Sequence, residues 1–269
     1  MPIQQPTIPE FSNFYRQSCQ YKRQRGNKTA LQQGQAEAKA WLGCLSMQRP
    51  SWCNERTVAN LSCALRNYRF TIQKDREVLV GLLRLIGEVA EGFNAQDIAN
   101  SLLALDQMGV RWGDLPKSLS DNLWAAVSRN AQDFNAQAIA NSLLALNQMG
   151  VRWDDLPRGL DEKLWAAVNR NAQDFNAQDI ANSLLAYVRM HDDKPQQGFN
   201  KQSYQRVLSQ LIKSAQSMVQ QGVFTNEQKR QIVQALTWMQ AFHHKDYSQK
   251  FQGMCLTQEV TTSQLQKSV

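Results

Sequence analysis

Three amide side chains recur in a register of 41 residues: Gln96, Asn100 and Gln107 come back as Gln137, Asn141 and Gln148. The first two return once more as Gln178 and Asn182, where Arg189 takes the third place. Steps of four and seven residues bring such positions to one side of a helix. A side-chain amide offers both donors and an acceptor. A row of amides can therefore meet the edges of nucleobases, or it can close on itself as an internal ladder, as buried amides ordinarily do. Both uses remain open at this stage.

Other groups of possible chemistry stand beside the row. Arg111 and Arg152 each precede a tryptophan, so each guanidinium can meet a phosphate or lie across an indole face. Trp112, Trp124, Trp153 and Trp165 could stack bases, but their spacing among Leu and Val fits a core. Two registered positions vary between otherwise similar copies, Asp97/Ala138/Asp179 and Asp106/Asn147/Val188. A reader of one base per repeat needs such variation, and neutral drift on a solvated face also produces it. "YKRQRGNK" carries Lys22, Arg23, Arg25 and Lys28, which suits a nucleic-acid arm, a short import signal or a solvated basic leader.

Catalytic signatures do not accompany these groups. His191, His243 and His244 are the only histidines, and no H-E-x-x-H, nucleophile elbow or glycine-rich phosphate loop joins them. The five cysteines form no C-x-x-C pair, so they read as reduced thiols rather than zinc ligands. The expectation is a binding protein without catalytic residues, metal or cofactor.

Positioning these groups is the task of the repeat. Residues 93–133 and 134–174 agree at 32 of 41 positions, and residues 175–190 agree with 134–149 at 12 of 16. Each unit reads as two helices. Asn94 is a good N-cap, with Asp97 placed to return a bond to its amide. Ile98, Leu102 and Leu105 mark a buried stripe, and Gly109 suits a left-handed helix end. Asp114 or Ser118 is expected to cap the second helix, with Pro116 in its first turn and Leu119, Leu123, Trp124 and Val127 facing inward. One hairpin cannot bury its apolar side alone, so the fold class is all-α, an α-solenoid of stacked hairpins with degenerate capping copies.

The expected organisation is a flexible basic leader over residues 1–30, a solenoid over 31–247 and a polar tail over 248–269. Clear repeats occupy 93–133, 134–174 and 175–215, degenerate copies occupy 53–92 and 224–247, and an extra N-terminal helix lies near Leu31–Met47.

"FNAQDIANSLLALDQMG" resembles the opening of an octotricopeptide repeat through Phe93, Asn94, Gln96, Ala99, Asn100, Leu102, Ala104, Leu105 and Gly109. Ile98, Ile139 and Ile180 replace the usual Leu, and Leu103, Leu144 and Leu185 stand where many members carry Trp. The resemblance implies a helical solenoid that binds single-stranded RNA. Similar bacterial repeats occur in proteins of intracellular pathogens, where secreted effectors are suspected. The shared polar face and the arginines beside it make Gln96, Asn100, Gln107, Arg111, Gln137, Asn141, Gln148, Arg152, Gln178, Asn182 and Arg189 the candidate residues for binding RNA or a partner.

Charge bears on the choice of partner. The net charge is +7, yet residues 93–190 carry eight bases against eleven acids, and the excess of bases lies in the flanks. A sequence-independent nucleic-acid groove has the opposite pattern. The expected partner is single-stranded RNA, with a protein partner, bound as by a bacterial effector scaffold, as the alternative; the oligomeric state is left open. No membrane-spanning run and no Sec-type signal core is present, which leads to an expected location in the cytoplasm, or in a host cell after specialised secretion.

Overall fold

The computed structural model describes residues 7–23, 26–47, 49–191 and 201–241. Every extended regular element among them is an α-helix: α1 (Ile8–Arg23), α2 (Lys28–Met47), α3 (Glu55–Asn67), α4 (Arg76–Val89), α5 (Ala95–Gln107), α6 (Lys117–Arg129), α7 (Ala136–Gln148), α8 (Leu160–Asn171), α9 (Ala177–Arg189), α10 (Lys201–Gln220) and α11 (Asn226–Ala241). Odd-numbered helices stack side by side in one layer, the A row, and each of α1 to α9 packs against the even-numbered helix that follows it. The even-numbered helices form the B row, where Lys163 of α8 reaches the Ser128 hydroxyl of α6 at 2.8 Å. Five hairpins and a final A helix thus build the solenoid.

Local chemistry sets the register of the A row. The Asn94 side chain accepts from the amides of Gln96 and Asp97, both at 2.9 Å, and Asp97 returns a bond to the Asn94 amide at 3.3 Å. Asn176 and Asp179 repeat this reciprocal box, while Asn135 caps α7 alone because Ala138 has nothing to return. Gly109 and Gly150 end α5 and α7 with φ of 80° and 93°, values that cost a Cβ-free residue little.

The repeated letters "RNAQD" close each hairpin onto its own start through Asn, and reach the unit before through Arg. Asn130 donates to the Phe93 carbonyl at 2.8 Å and to Ala126 at 2.9 Å, and Asn171 does the same to Phe134 and Ala167, both at 2.9 Å. Arg129 donates to the carbonyls of Glu91 and Phe93, and Arg170 to that of Ala131. On the other edge, the connector amides of Ile72, Trp112 and Trp153 donate to the Met108, Met149 and Met190 carbonyls. One carbonyl just past each of α5, α7 and α9 is thereby satisfied by the preceding repeat.

The core is continuous from Phe11 to Ala235. Trp124, Trp153 and Trp165 are buried within it, and half-buried Trp112 lies 4.1 Å from Trp124 between ring centroids. Tyr204, Val207, Leu208, Leu211, Ile212 and Ala215 face inward from α10, as their spacing predicts.

Two expectations are corrected. Residues 8–23 are not a loose leader: they form α1, whose Phe11, Phe14, Ser18 and Tyr21 are buried. Phe11 meets Trp41 edge-on at 5.2 Å, and Tyr21 lies 5.5 Å from Tyr68. The helix over Lys28–Met47 is therefore the second half of a hairpin, not an isolated addition. Neither Asp114 nor Ser118 caps α6. Asp114 belongs to a 3-10 turn, and Pro116 occupies the cap position without a side-chain bond. The expected polar tail, most of the long connector after His191 and the leader's first six residues lie outside the described residues.

Candidate binding face

The solvent side of the A row gathers most of the amides picked out by sequence. Gln96, Gln107, Gln137, Gln148 and Gln178 are exposed, Asn100 and Asn141 are half-buried, and Asn182 is buried. Between them Leu103 is half-buried, while Leu144 and Leu185 are buried.

The row does not behave uniformly. At its C-terminal end the amides close on one another. The Asn182 oxygen accepts from Gln178 at 2.7 Å and from Gln231 at 3.1 Å, and its NH2 donates to Asn141 at 3.4 Å. Gln178 also donates to Gln231 at 3.2 Å and accepts from Gln228 at 3.1 Å. Five amides on α7, α9 and α11 thus form one network. At the N-terminal end, the side chains of Asn60 and Asn100 make no hydrogen bond among the described residues. The nearest polar contact at Asn100 is to its carbonyl, which accepts from the Cys63 thiol at 3.9 Å.

Gln231 and Gln228 were not picked out by sequence. Their signal was available, since Gln231 follows Asn100 by the same 131 residues that separate Phe224 from Phe93.

The tryptophans are core, as their spacing predicts, and the arginines make contacts within the fold. Arg111 donates to the Gln148 carbonyl at 2.6 Å, so it caps the next A helix. The Arg152 amide donates to the Asp155 carboxylate at 2.8 Å at the start of a 3-10 turn. Arg189 lies over the Trp238 ring, 5.4 Å from its centroid.

Of the two variable positions, Asp97/Ala138/Asp179 is an N-terminal cap position, buried at all three sites. Its variation switches a capping bond on or off. At the other position, Asp106 and Asn147 are half-buried and Val188 is buried.

Carboxylates are withdrawn from this face. Eight of the eleven acids between 93 and 190 lie in B helices, connectors and turns; only Asp97, Asp106 and Asp179 belong to A helices. Burial raises the pKa of Asp97 and Asp179 against the opposing bonds from their cap amides. Burial also pushes Asp106 up to about 6, opposed by Arg111. The single base on α5, α7 and α9 is Arg189. The middle of the face is therefore a neutral amide surface.

Exposed cations collect at the N-terminal end. Lys22 and Arg23 end α1 and Lys28 begins α2, all three exposed, whereas Arg25 lies outside the described residues. Arg16 of α1 and Arg56 of α3 are also exposed, and Arg66 is half-buried. Arg16 escaped the sequence assignment because α1 itself did, and Arg56 and Arg66 of α3 were not picked out by sequence.

The four thiols of Cys19, Cys44, Cys53 and Cys63 are free. Among the described residues no group of three His, Cys, Asp or Glu could hold a metal ion, and no helix is long and apolar enough to cross a membrane.

Three segments, residues 81–102, 108–143 and 149–184, match a family model described as a protein of unknown function (DUF1601). The matches run in tandem, with the second and third starting 41 residues apart (149 − 108), and they indicate a helical-repeat family. Among curated proteins none matches the chain.

Proposed function

We propose that this chain is a non-catalytic binding protein that holds single-stranded RNA along the solvent side of the A row. The observation that carries this is the withdrawal of carboxylates from that side. Of the eleven acids that weigh against RNA when read as a sum, eight fall on the B row, connectors and turns, and of the three on A helices Asp97 and Asp179 are buried. What faces solvent on α5 and α7 is a set of amides able to bond base edges, continuous with a cationic end on α1 and α3. The octotricopeptide-like motif supports the same assignment, as do the exposed Gln96, Gln107, Gln137 and Gln148. On this reading the protein works in the cytoplasm or in a host cell.

The test is binding of a labelled single-stranded oligonucleotide to the full chain. Replacing Gln96 and Gln137 with Ala is expected to weaken binding by about 1–3 kcal/mol, with the melting temperature nearly unchanged. Unchanged affinity in that double variant removes the A row as the RNA surface.

A second reading has its own support. Helices α5 and α7 themselves carry no cation to hold phosphates, and exposed Arg111 in the connector between them is engaged with the Gln148 carbonyl; a neutral amide surface also suits an extended polypeptide, as in an effector that engages a host protein. Crosslinking and pull-down from extract, with and without nuclease, separates the two. RNA-dependent recovery favours the first reading, and nuclease-resistant recovery of a protein favours the second.

A further inference from the structure

Position 69 breaks the pattern of the repeat. Where α5 and α7 end, Gly109 and Gly150 take positive φ. The equivalent residue after α3 is Arg69, the only non-glycine residue with positive φ among the described residues, at 61°. An L-residue in this conformation is held there against a steric cost that glycine avoids. Both later copies use the relaxed solution, so the side chain at 69 is present despite the backbone, and strain of this kind points to a role for the side chain.

The surroundings indicate that role. Arg69 is exposed and forms no ion pair among the described residues. One turn back, Arg66 donates to the Asn67 side-chain oxygen at 3.3 Å, and its buried Nε has no hydrogen-bond partner. The C-terminal end of α1 lies alongside: Tyr21 is 5.5 Å from Tyr68 between ring centroids, and Asn67 donates to the Ser18 hydroxyl at 3.3 Å. Lys22 and Arg23 are exposed in the last turn of α1, at the end that packs against the C-terminal end of α3, which carries Arg66 and leads into Arg69. Lys22 and Arg66 both lie within electrostatic reach of the Cys63 thiol, whose pKa burial raises. Asp75 accepts from the Thr71 amide at 3.2 Å, and Glu37 lies on α2 near the Tyr68 ring.

We propose that Arg69, with Arg66, Lys22 and Arg23, is a phosphate-anchoring site that grips the sugar–phosphate backbone of a single strand at the N-terminal end of the A row. The proposal rests on the RNA reading above and adds to it a direction: phosphates are held at α1 and α3, and bases lie over the amides of α5 and α7. Cations at one end explain how a strand is retained over α5 and α7, which carry none.

Arg69→Gly makes the test unusually clean, because folding and binding move in opposite directions. Glycine relieves the backbone, so the melting temperature holds or rises, and loss of folding cannot be mistaken for loss of binding. In a salt titration of the full chain with a labelled single-stranded oligonucleotide, Arg69→Gly is expected to weaken binding. The slope of log affinity against log salt should fall by about 0.7, the value for one phosphate contact on a single strand. Arg66→Gln should do the same, whereas Arg84→Gln, in the B row, should leave the slope unchanged. If the wild type binds RNA and neither its affinity nor its slope changes in Arg69→Gly, the anchoring site is wrong and the RNA reading stands. If the wild type fails to bind RNA but binds polyglutamate in a way that Arg69→Gly weakens, the occupant is an acidic polypeptide and both fall. A wild type that binds neither probe also rejects both.

Discussion

The two ends of the A row use the same letters for different work. On α7, α9 and α11 the amides of Asn141, Gln178, Asn182, Gln228 and Gln231 spend their hydrogen bonds on one another, and Arg189 rests on Trp238. On α3 and α5 the equivalent Asn60 and Asn100 keep theirs unspent, beside Arg66 and Arg69. What separates the ends is the neighbour, not the residue. Asn182 faces Gln231, which is long enough to reach it, while Asn100 faces Asn60 and Asn141, and neither side chain bonds it. A repeated polar residue therefore has no single role, and the row is better regarded as a structural clasp at one end and an open surface at the other.

The core offers the largest effect by which to sharpen this contrast. Trp165 sits among Trp153, Tyr187 and Tyr204, with ring centroids 5.6, 6.4 and 6.0 Å away, and is 2% exposed. Trp124 has half-buried Trp112 as its aromatic neighbour and is 9% exposed. Thermal or denaturant unfolding should show Trp165→Ala costing about 3–5 kcal/mol, with Trp124→Ala at the lower end of that range. Equal costs would mean that the two halves are packed alike.

The brackets that close each repeat should be indifferent to the contrast. Asn130→Ala and Asn171→Ala each remove two bonds of the same geometry and strand a carbonyl. Each should lower stability by about 1–3 kcal/mol, and by the same amount within error. A difference above about 1 kcal/mol would place the break between the halves in the scaffold rather than in the surface.

A smaller effect belongs to the open end. Asp106 holds its proton more tightly in the folded chain, at about 6, than the ordinary aspartate value of 3.8. Ionised Asp106 therefore costs stability above pH 6, and that cost fades as pH falls through 6 towards 3.8. Asp106→Asn, which installs the residue that the next copy carries as Asn147, should stabilise the chain by about 1–2 kcal/mol at pH 7. It should change nothing at pH 4. A gain that persists at pH 4 would assign the effect to packing rather than ionisation.

Much of this architecture was legible in the letters. Phe93, Ile98, Leu102 and Leu105 recur because the same packing is rebuilt in each copy. Asn94 and Asp97 announce the helix start, and Gly109 its end. The first helix was concealed because Phe11, Phe14, Ser18 and Tyr21 alternate with Arg, Gln and Asn, and a buried serine interrupts the apolar stripe. The second helix of the repeat was misjudged at its cap, because Pro116 fixes the backbone without any side-chain bond. The brackets of Asn130 and Asn171 were written in "RNAQD", but a carbonyl acceptor leaves no mark in a sequence. The site itself was only half legible. Periodicity placed the amides on one face, yet whether an amide is spent or free depends on the reach of its neighbour across the row. The strain at Arg69 likewise exists only in φ.

The central claim is that Asn182 is structural and Asn100 is free. It is tested most directly by measuring Asn182→Ala and Asn100→Ala side by side, for melting temperature and for affinity to a single-stranded oligonucleotide at a temperature where both are folded. Asn182→Ala should lose about 1–3 kcal/mol of stability, because three bonds to Gln178, Gln231 and Asn141 go with it. Its RNA affinity should be unchanged. Asn100→Ala should stay within about 0.5 kcal/mol of the parent in stability and bind RNA more weakly. If the two variants lose stability alike, or if Asn100→Ala leaves RNA affinity untouched, the division of the row is contradicted.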